Sequence, residues 1–236
     1  MTATRYAEAD PTAFWNVNVK PEHQTVDCPE YLRYCFQNDK DRGIIGTADS
    51  AYQCLTWDEV KDHANRNRPD LFQRVPSELR KYRWFCHELR GRYGSILEFI
   101  LKERLQWSDT TAVVGDFGDQ ANYKILFNDW PYGVDERIVH LIVWTKFEMP
   151  EDPVTGALVP EMQAKVEAFV HEQFAIPCGT DNVAWFRNWV SLKSVHAVEH
   201  IHIMLFQPDE QLINRITNGD QPLALKLGYI TRGGAI

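Results

Sequence analysis

Near Asp109 the apolar residues of this chain change from a helical to a strand spacing, and that switch limits the possible folds more than any other feature. Before it, Thr56 and Glu59 form the Thr-x-x-Glu pattern of a capping box, which starts a helix through Trp57-Asp-Glu-Val-Lys that must stop before Pro69. A second helix is predicted from Pro76-Ser77 to Tyr93, closed by Gly94. A third opens on Ser95 and Glu98 and docks through Ile96, Phe99, Ile100, Leu101 and Leu105. After the switch, Tyr123-Lys-Ile-Leu-Phe127 and Val139-His-Leu-Ile-Val-Trp-Thr-Lys146 read as strands, joined by the turn-forming Asn128-Asp-Trp-Pro-Tyr-Gly133. A helix over 162–174 and strands over 183–188 and 199–206 complete the pattern. The expected fold is α+β: an N-terminal helical region followed by a mainly antiparallel sheet with a covering helix. Pro11, Pro21, Pro29 and Asp41-Arg-Gly-Ile-Ile-Gly46 make residues 1–54 read as extended arm and loops, ahead of a helical region 55–108 and a sheet domain 109–236. Residues 55–236 are expected to form one compact unit.

The last strand carries the most chemistry. Residues 198–206 run Val-Glu-His-Ile-His-Ile-Met-Leu-Phe, so a strand points His200, His202 and Met204 from one face and Ile201, Ile203 and Leu205 from the other. Imidazole titrates near neutrality, and two rings held at fixed spacing can divide the taking and returning of a proton. Packed, hydrogen-bonded core histidines are the plainer reading of the same pair. Strand alternation also puts His196 on that face, which raises a three-histidine metal site, although no fourth ligand is identifiable.

Composition narrows the class. With 236 residues, 44% of them hydrophobic, the chain can bury a large core. No run of about 18 apolar residues exists and the N-terminus lacks an apolar signal core, so a cytoplasmic protein that stays off membranes is expected. Five widely spaced cysteines without a CxxC pair are expected to be reduced and mostly buried thiols. A net charge of −8 discourages nucleic-acid binding overall. Yet Arg80, Lys81, Arg83, Arg90 and Arg92 face only Glu88 within one short stretch, interleaved with Tyr82, Trp84, Phe85 and Tyr93. Arginines beside aromatics suit RNA phosphates and bases, while a merely solvated helix face explains the same residues.

Two resemblances follow from these residues. Asn128-Asp129-Trp130-Pro131-Tyr132, the strand from His140 to Lys146 and the closing His200-Ile-His202 resemble, over about residues 120–206, the histidine-triad superfamily of nucleotide hydrolases and transferases. That resemblance implies a histidine-triad-like fold and His202 as nucleophile. Its third position is Met204, and a thioether gives a phosphate oxygen no hydrogen. A second resemblance covers most of the chain: Leu55-Thr-Trp-Asp-Glu-Val, Arg74-Val-Pro-Ser-Glu-Leu-Arg-Lys-Tyr, Tyr93 to Trp107, Asn128 to Gly133, His140 to Lys146 and Glu199-His-Ile-His are similar to the fungal N-acetylglucosamine-induced protein family. That family includes arginine-containing cyclodipeptide synthases, which take aminoacyl groups from tRNA and close a cyclo-arginyl diketopiperazine. Other members have no agreed activity, so a non-catalytic sugar-response or RNA-binding role stays open at this point.

The synthase resemblance implies arginyl-tRNA and a second charged tRNA as partners, with no cofactor, because the ester already carries the activation. The chemistry needs a base for the attacking amine, a stabiliser for the oxyanion and a proton for the leaving ribose hydroxyl. His200 and His202 fit the proton transfers, and the Asn128 amide and the backbone around Asn188 fit the oxyanion. Asp129 or Glu199 suits the substrate guanidinium, with Asp129 preferred because Glu199 alternates to the other strand face. Trp130, Tyr132 and Trp144 suit a pocket for the second side chain, or ordinary core packing. Ser194 and Cys178 are candidate acyl acceptors, and the basic helix would grip tRNA.

Overall fold

The computed structural model describes residues 9–108, 111, 113, 115–153, 155–189, 195 and 197–229. Its helices are α1 (Asp39–Ile45), α2 (Trp57–Asn65), α3 (Pro76–Tyr93), α4 (Ile96–Phe99), α5 (Pro160–Val170), α6 (Ile176–Cys178), α7 (Glu210–Thr217) and α8 (Leu223–Lys226), with 3-10 and π segments between them. The chain divides into two compact units: residues up to Cys54 with Arg74–Gly94, and Leu55–Gln73 with Ser95 onward.

The first unit corrects the expected arm. Pro21 is the first residue of a 3-10 turn, Pro29 caps the 3-10 segment Glu30–Gln37, and Asn38 accepts from the Asp41 amide to start α1. Proline's fixed φ favours a helix start as readily as it breaks a helix interior, and here it starts turns. Leu32, Cys35 and Ile45 are fully buried, and α1, the 3-10 segment and α3 contact one another. Helix α3 therefore groups with the N-terminal segment, so 55–236 is not one compact unit. Its ends are where the sequence put them, with Pro76 first and Gly94 at φ 78°.

The second unit is built on a four-stranded antiparallel sheet, β1 (Tyr123–Phe127), β2 (Ile138–Thr145), β3 (Val183–Phe186) and β4 (Glu199–Phe206), in the order β1-β2-β4-β3. The fold is α+β. Thr56 and Glu59 close a full capping box on α2, and Ser95 caps α4 by accepting from the Glu98 amide. Beyond α4 the helix widens into a π-turn, Ile100–Leu105, whose last carbonyls accept from Lys124 Nζ at 3.0 and 3.1 Å.

Every residue of β2 is buried, so the sheet is covered on both sides. On one side Ile125, Phe127, Val139, Leu141, Val143, Ile201, Ile203 and Leu205 pack against Met162, Val166, Phe169 and Val170 of α5 in one apolar cluster. Two separate clusters occupy the other side: Val60, Phe72, Val134, Ile138, Ala184, Phe186 and Met204 form one, and Leu101, Leu105, Leu126, Ile142, Trp144, Val195 and Val198 the other.

Among the described residues, no helix is long and apolar enough to cross a membrane. All five cysteines are free thiols, Cys35 and Cys86 buried, Cys28 and Cys178 half-buried and Cys54 exposed.

Candidate functional site

Between those two clusters a row of buried polar side chains crosses the sheet. Asn128 follows β1 and extends its ladder, its amide donating to the His140 carbonyl at 2.9 Å. In the β2–β4 register His140 lies opposite Met204 and His202 opposite Ile142, so the two histidines are diagonal neighbours on one face. Their rings meet through His140 Nε2 and His202 Nδ1 at 2.9 Å. Asn188, two residues past the Phe186 that pairs with His202, places its Nδ2 at 3.0 Å from His202 Nε2 and 3.3 Å from Tyr132 Oη. Asn128 Nδ2 stands 3.2 Å from His140 Nε2 at the opposite end. Both histidines are almost completely enclosed, at 1% and 3% exposure, and both asparagines are at 6%.

The carboxamide at one end of this row has a fixed orientation. Asn128 Oδ1 accepts from the Trp130 amide at 3.0 Å, which fixes its NH2 toward His140. That NH2 lies 3.2 Å from His140 Nε2 and 3.4 Å from His140 Nδ1, so near to both that it selects neither, and one hydrogen joins His140 Nε2 to His202 Nδ1. Each ring lies against an aromatic face: His140 on Tyr132 at 5.1 Å between centroids, and His202 on Phe186 at 4.9 Å with planes 1° apart. Such faces favour a positive ring over a neutral one, which offsets part of the burial penalty of an imidazolium. The pair can therefore share one hydrogen between its two rings. Asn188 Oδ1 is buried without a hydrogen-bond partner among the described residues.

His140 was missed in the sequence. Its signal was present, since in Ile138–Thr145 it alternates onto the face of Ile142 and Trp144, but a single histidine in an apolar strand does not show what its neighbour brings. His200, assigned to the relay, instead directs Nδ1 to the Val198 carbonyl at 3.0 Å and lies against Trp144 at 4.5 Å. The Val198 carbonyl, not spacing, makes the difference, since residues two apart on a strand and diagonal partners on adjacent strands both lie about 7 Å apart. The rings of His200 and His202 accordingly meet edge to face at 5.6 Å between centroids.

Both carboxylates nominated for a substrate guanidinium already hold a guanidinium of this chain. Asp129 accepts from Arg104 Nε at 2.8 Å and from the Leu223 amide at 3.0 Å, and Asp220 takes the other side of Arg104 at 2.8 and 3.0 Å. Burial pushes the Asp129 carboxyl up to about 6, with Arg104 opposing. Glu199 is bound by Arg187 at 3.1 and 3.2 Å, and Arg187 also reaches Glu151. Buried carboxylates demand counter-charges, and the fold supplies them from within. Of the three proposed pocket aromatics only Tyr132 joins the row; Trp144 belongs to an apolar cluster, and Trp130 stacks on Tyr229 at 5.8 Å.

On α3 the five cations divide. Arg80 donates to the Trp15 carbonyl and Arg83 pairs with Asp41, which also accepts from Tyr34, so both are used within their own unit. Lys81, Arg90 and Arg92 are exposed. Ser194 and His196 lie outside the described residues, and among the described residues no group of three or more His, Cys, Asp or Glu is placed to hold a metal ion.

Residues 56–206, well over half the chain and inclusive of all four members of the polar row, match the family described as a protein of unknown function, DUF3605. The chain belongs to the DUF3605 family. This DUF3605 chain is 24% identical over 194 residues to N-acetylglucosamine-induced protein 1 of Candida albicans, spanning 73% of itself and 76% of that relative. To an uncharacterized protein of Saccharomyces cerevisiae it is 26% identical over 176 residues, covering 71% and 87% of the two chains. The crystal structure of HTC1 shares its fold, with a TM-score of 0.55 at 24% identity over 72% of the DUF3605 chain and 100% of that structure's chain.

Proposed function

We propose that this DUF3605 protein is an arginine-containing cyclodipeptide synthase, an enzyme that takes aminoacyl groups from arginyl-tRNA and a second charged tRNA and closes a cyclo-Arg-Xaa diketopiperazine. One observation carries the reading: a 2.9 Å bond between two imidazoles with a carboxamide at each end, on a buried sheet face between two apolar clusters. In each acyl transfer the free amine of one aminoacyl group attacks the ester carbon of the other, and the bond to the ribose oxygen breaks. The imidazole pair takes the proton the amine loses, its two rings share the resulting charge, and the same proton is returned to the leaving hydroxyl. The rings sit between two apolar clusters, so the reacting ester leaves bulk water before the amine attacks, which favours aminolysis over hydrolysis. Because the ester supplies the activation, no cofactor is required. Lys81, Arg90 and Arg92 are the exposed α3 cations that would face tRNA phosphates, and the supply of charged tRNA makes the cytoplasm the place of action.

A phosphate-transfer reading in the histidine-triad manner is less well supported, because Met204 is completely buried in an apolar cluster and opposite His140. The test is expression in a bacterium followed by mass spectrometry of the culture for cyclo-Arg-Xaa. Wild-type protein should yield product, His140→Ala and His202→Ala should not, and His200→Gln should retain it. Absence of any diketopiperazine from the folded wild type would overturn the reading. Replacing Lys81, Arg90 and Arg92 together by Gln should flatten the salt dependence of tRNA binding in a filter assay, by a slope of roughly 0.7 to 0.9 for each phosphate that is no longer neutralised.

A further inference from the structure

The sheet has two edges, and they are treated differently. At the first, β1 carries Lys124, whose Nζ ties the π-turn over 100–105 to the strand, and the outward amide of Phe127 donates to Asp220 at 3.0 Å. Strand β3, the other edge, reads Val183-Ala-Trp-Phe186, with none of the charges, prolines or bulges that usually guard an edge against added chains. The phase of the ladder decides which of its backbone groups face out. Asn128 donates to the His140 carbonyl, so His140 and every second residue of β2 turn toward β1, and Leu141 and Ile203 bond β2 to β4. One strand further, Ala184 and Phe186 bond β3 to Met204 and His202, and Val183 and Trp185 turn to the free edge. The Val183 amide closes on the Thr180 carbonyl. Trp185 keeps both its N–H and its C=O without a partner among the described residues.

That pair of groups lies on a cleft of about 550 Å³, which all four residues of β3 line. Asn65 and Asn67, at and just past the end of α2, form one wall, and Gln163 and Glu167 of α5 form the other. Helix α2 packs on the face that Ala184 and Phe186 share and α5 on the face of Trp185, so the cleft runs along the edge and not over either face. We infer that the β3 edge is a strand-addition site, which takes an extended peptide segment carrying a cationic side chain as a fifth, antiparallel strand. One residue of that peptide donates its N–H to the Trp185 carbonyl and accepts from the Trp185 amide. Residues opposite each other in a ladder share a face, so its side chain lies on the α5 side with the Trp185 indole and Glu167. Charge there is unbalanced: Arg187, the one Lys or Arg lining the cleft, is held by Glu151 and Glu199, while Glu167 accepts only from Gln163 Nε2 at 2.6 Å. An arginine or lysine fits that place, against an aromatic ring and a carboxylate. The two flanking side chains turn to Asn65 and Asn67, which suit short hydroxyl residues.

Peptide addition at β3 is independent of the synthase reading, although β3 also carries the Phe186 ring that stacks on His202. The full-length protein is titrated calorimetrically with acetyl-Thr-Arg-Thr-amide and, separately, with the same peptide methylated on its backbone nitrogens. Wild type should bind the unmethylated peptide about ten-fold more tightly. Trp185→Pro removes the outward N–H and no bond to β4, since an edge strand tolerates proline where its N–H faces out, and it should lose binding. Trp185→Ala, which lacks the ring and keeps the N–H, should still prefer the unmethylated peptide. Glu167→Gln should weaken binding by about three- to five-fold. Hydrogen exchange followed by NMR should show the Trp185 amide slowed by the unmethylated peptide alone. Circular dichroism checks folding, and where the proline variant does not fold, the methylated probe and the Trp185 amide carry the test. No binding of the unmethylated peptide, equal affinity for the two peptides, binding that survives in Trp185→Pro, or a Trp185 amide that the peptide does not slow would overturn strand addition. Unchanged affinity in Glu167→Gln would overturn the cationic assignment.

Discussion

The two faces of the sheet are made by the same strands and solve opposite problems. Under α5, Val139, Leu141 and Val143 of β2 meet Ile201, Ile203 and Leu205 of β4 in an uninterrupted apolar layer. On the reverse, His140 and His202 alternate with those residues and split the apolar surface into two clusters joined by a polar row. The first face lowers the free energy of the fold by removing hydrocarbon from water. The second gives up part of that gain, since each buried polar group must recover its lost hydration by hydrogen bonding. A polar row placed where an apolar one would stabilise more is what the proposed acid–base role would require.

That contrast can be broken experimentally, and the largest effect falls on the polar side. His202→Ala should reduce diketopiperazine formation by about 10² to 10⁴-fold, the usual contribution of a positioned acid–base group, with the far-ultraviolet spectrum unchanged. Equal product from His202→Ala and wild type would remove the distinction between the faces. Ile203→Ala, one residue along and fully buried on the other side, should behave in the reverse way. It is expected to cost about 2 to 5 kcal/mol in urea denaturation while product formed per folded molecule stays constant.

A smaller and pH-dependent effect is expected at Asp129, beside Asn128 at the end of the row. Its carboxyl is raised to about 6 from an ordinary 3.8, so between those values the folded state binds more protons than the unfolded chain. The contribution of Asp129 to stability is therefore greatest in acid and falls as pH rises through that window. Asp129→Asn abolishes the dependence, and its cost should be larger near about pH 4.5 than near neutrality, by on the order of 2 kcal/mol. Denaturation at the two pH values tests this, and a cost that grows toward neutral pH would show that Arg104 outweighs burial at that carboxyl.

The sheet was legible in the sequence because period-two alternation and turn residues are local signals. Strands 123–127 and 199–206 fall where alternation put them, and the ends of α3 fall on Pro76 and Gly94 as capping chemistry requires. What local reading cannot supply is register between strands. The partner of His202 is His140, 62 positions earlier, and only the antiparallel pairing of β2 with β4 makes them diagonal neighbours. The same limit explains Asp129 and Glu199, which looked available for a substrate arginine until Arg104 and Arg187 arrived from distant segments. The N-terminal segment was misread because proline marks a helix start and a helix break with the same letter.

The central claim is a hydrogen-bonded imidazole pair, and nitrogen-15 NMR of histidine-labelled protein tests it most directly. The account predicts one strongly deshielded ring proton held between His140 Nε2 and His202 Nδ1, and loss of that signal in His140→Leu. A spectrum with no such proton, or one unaffected by His140→Leu, would contradict it.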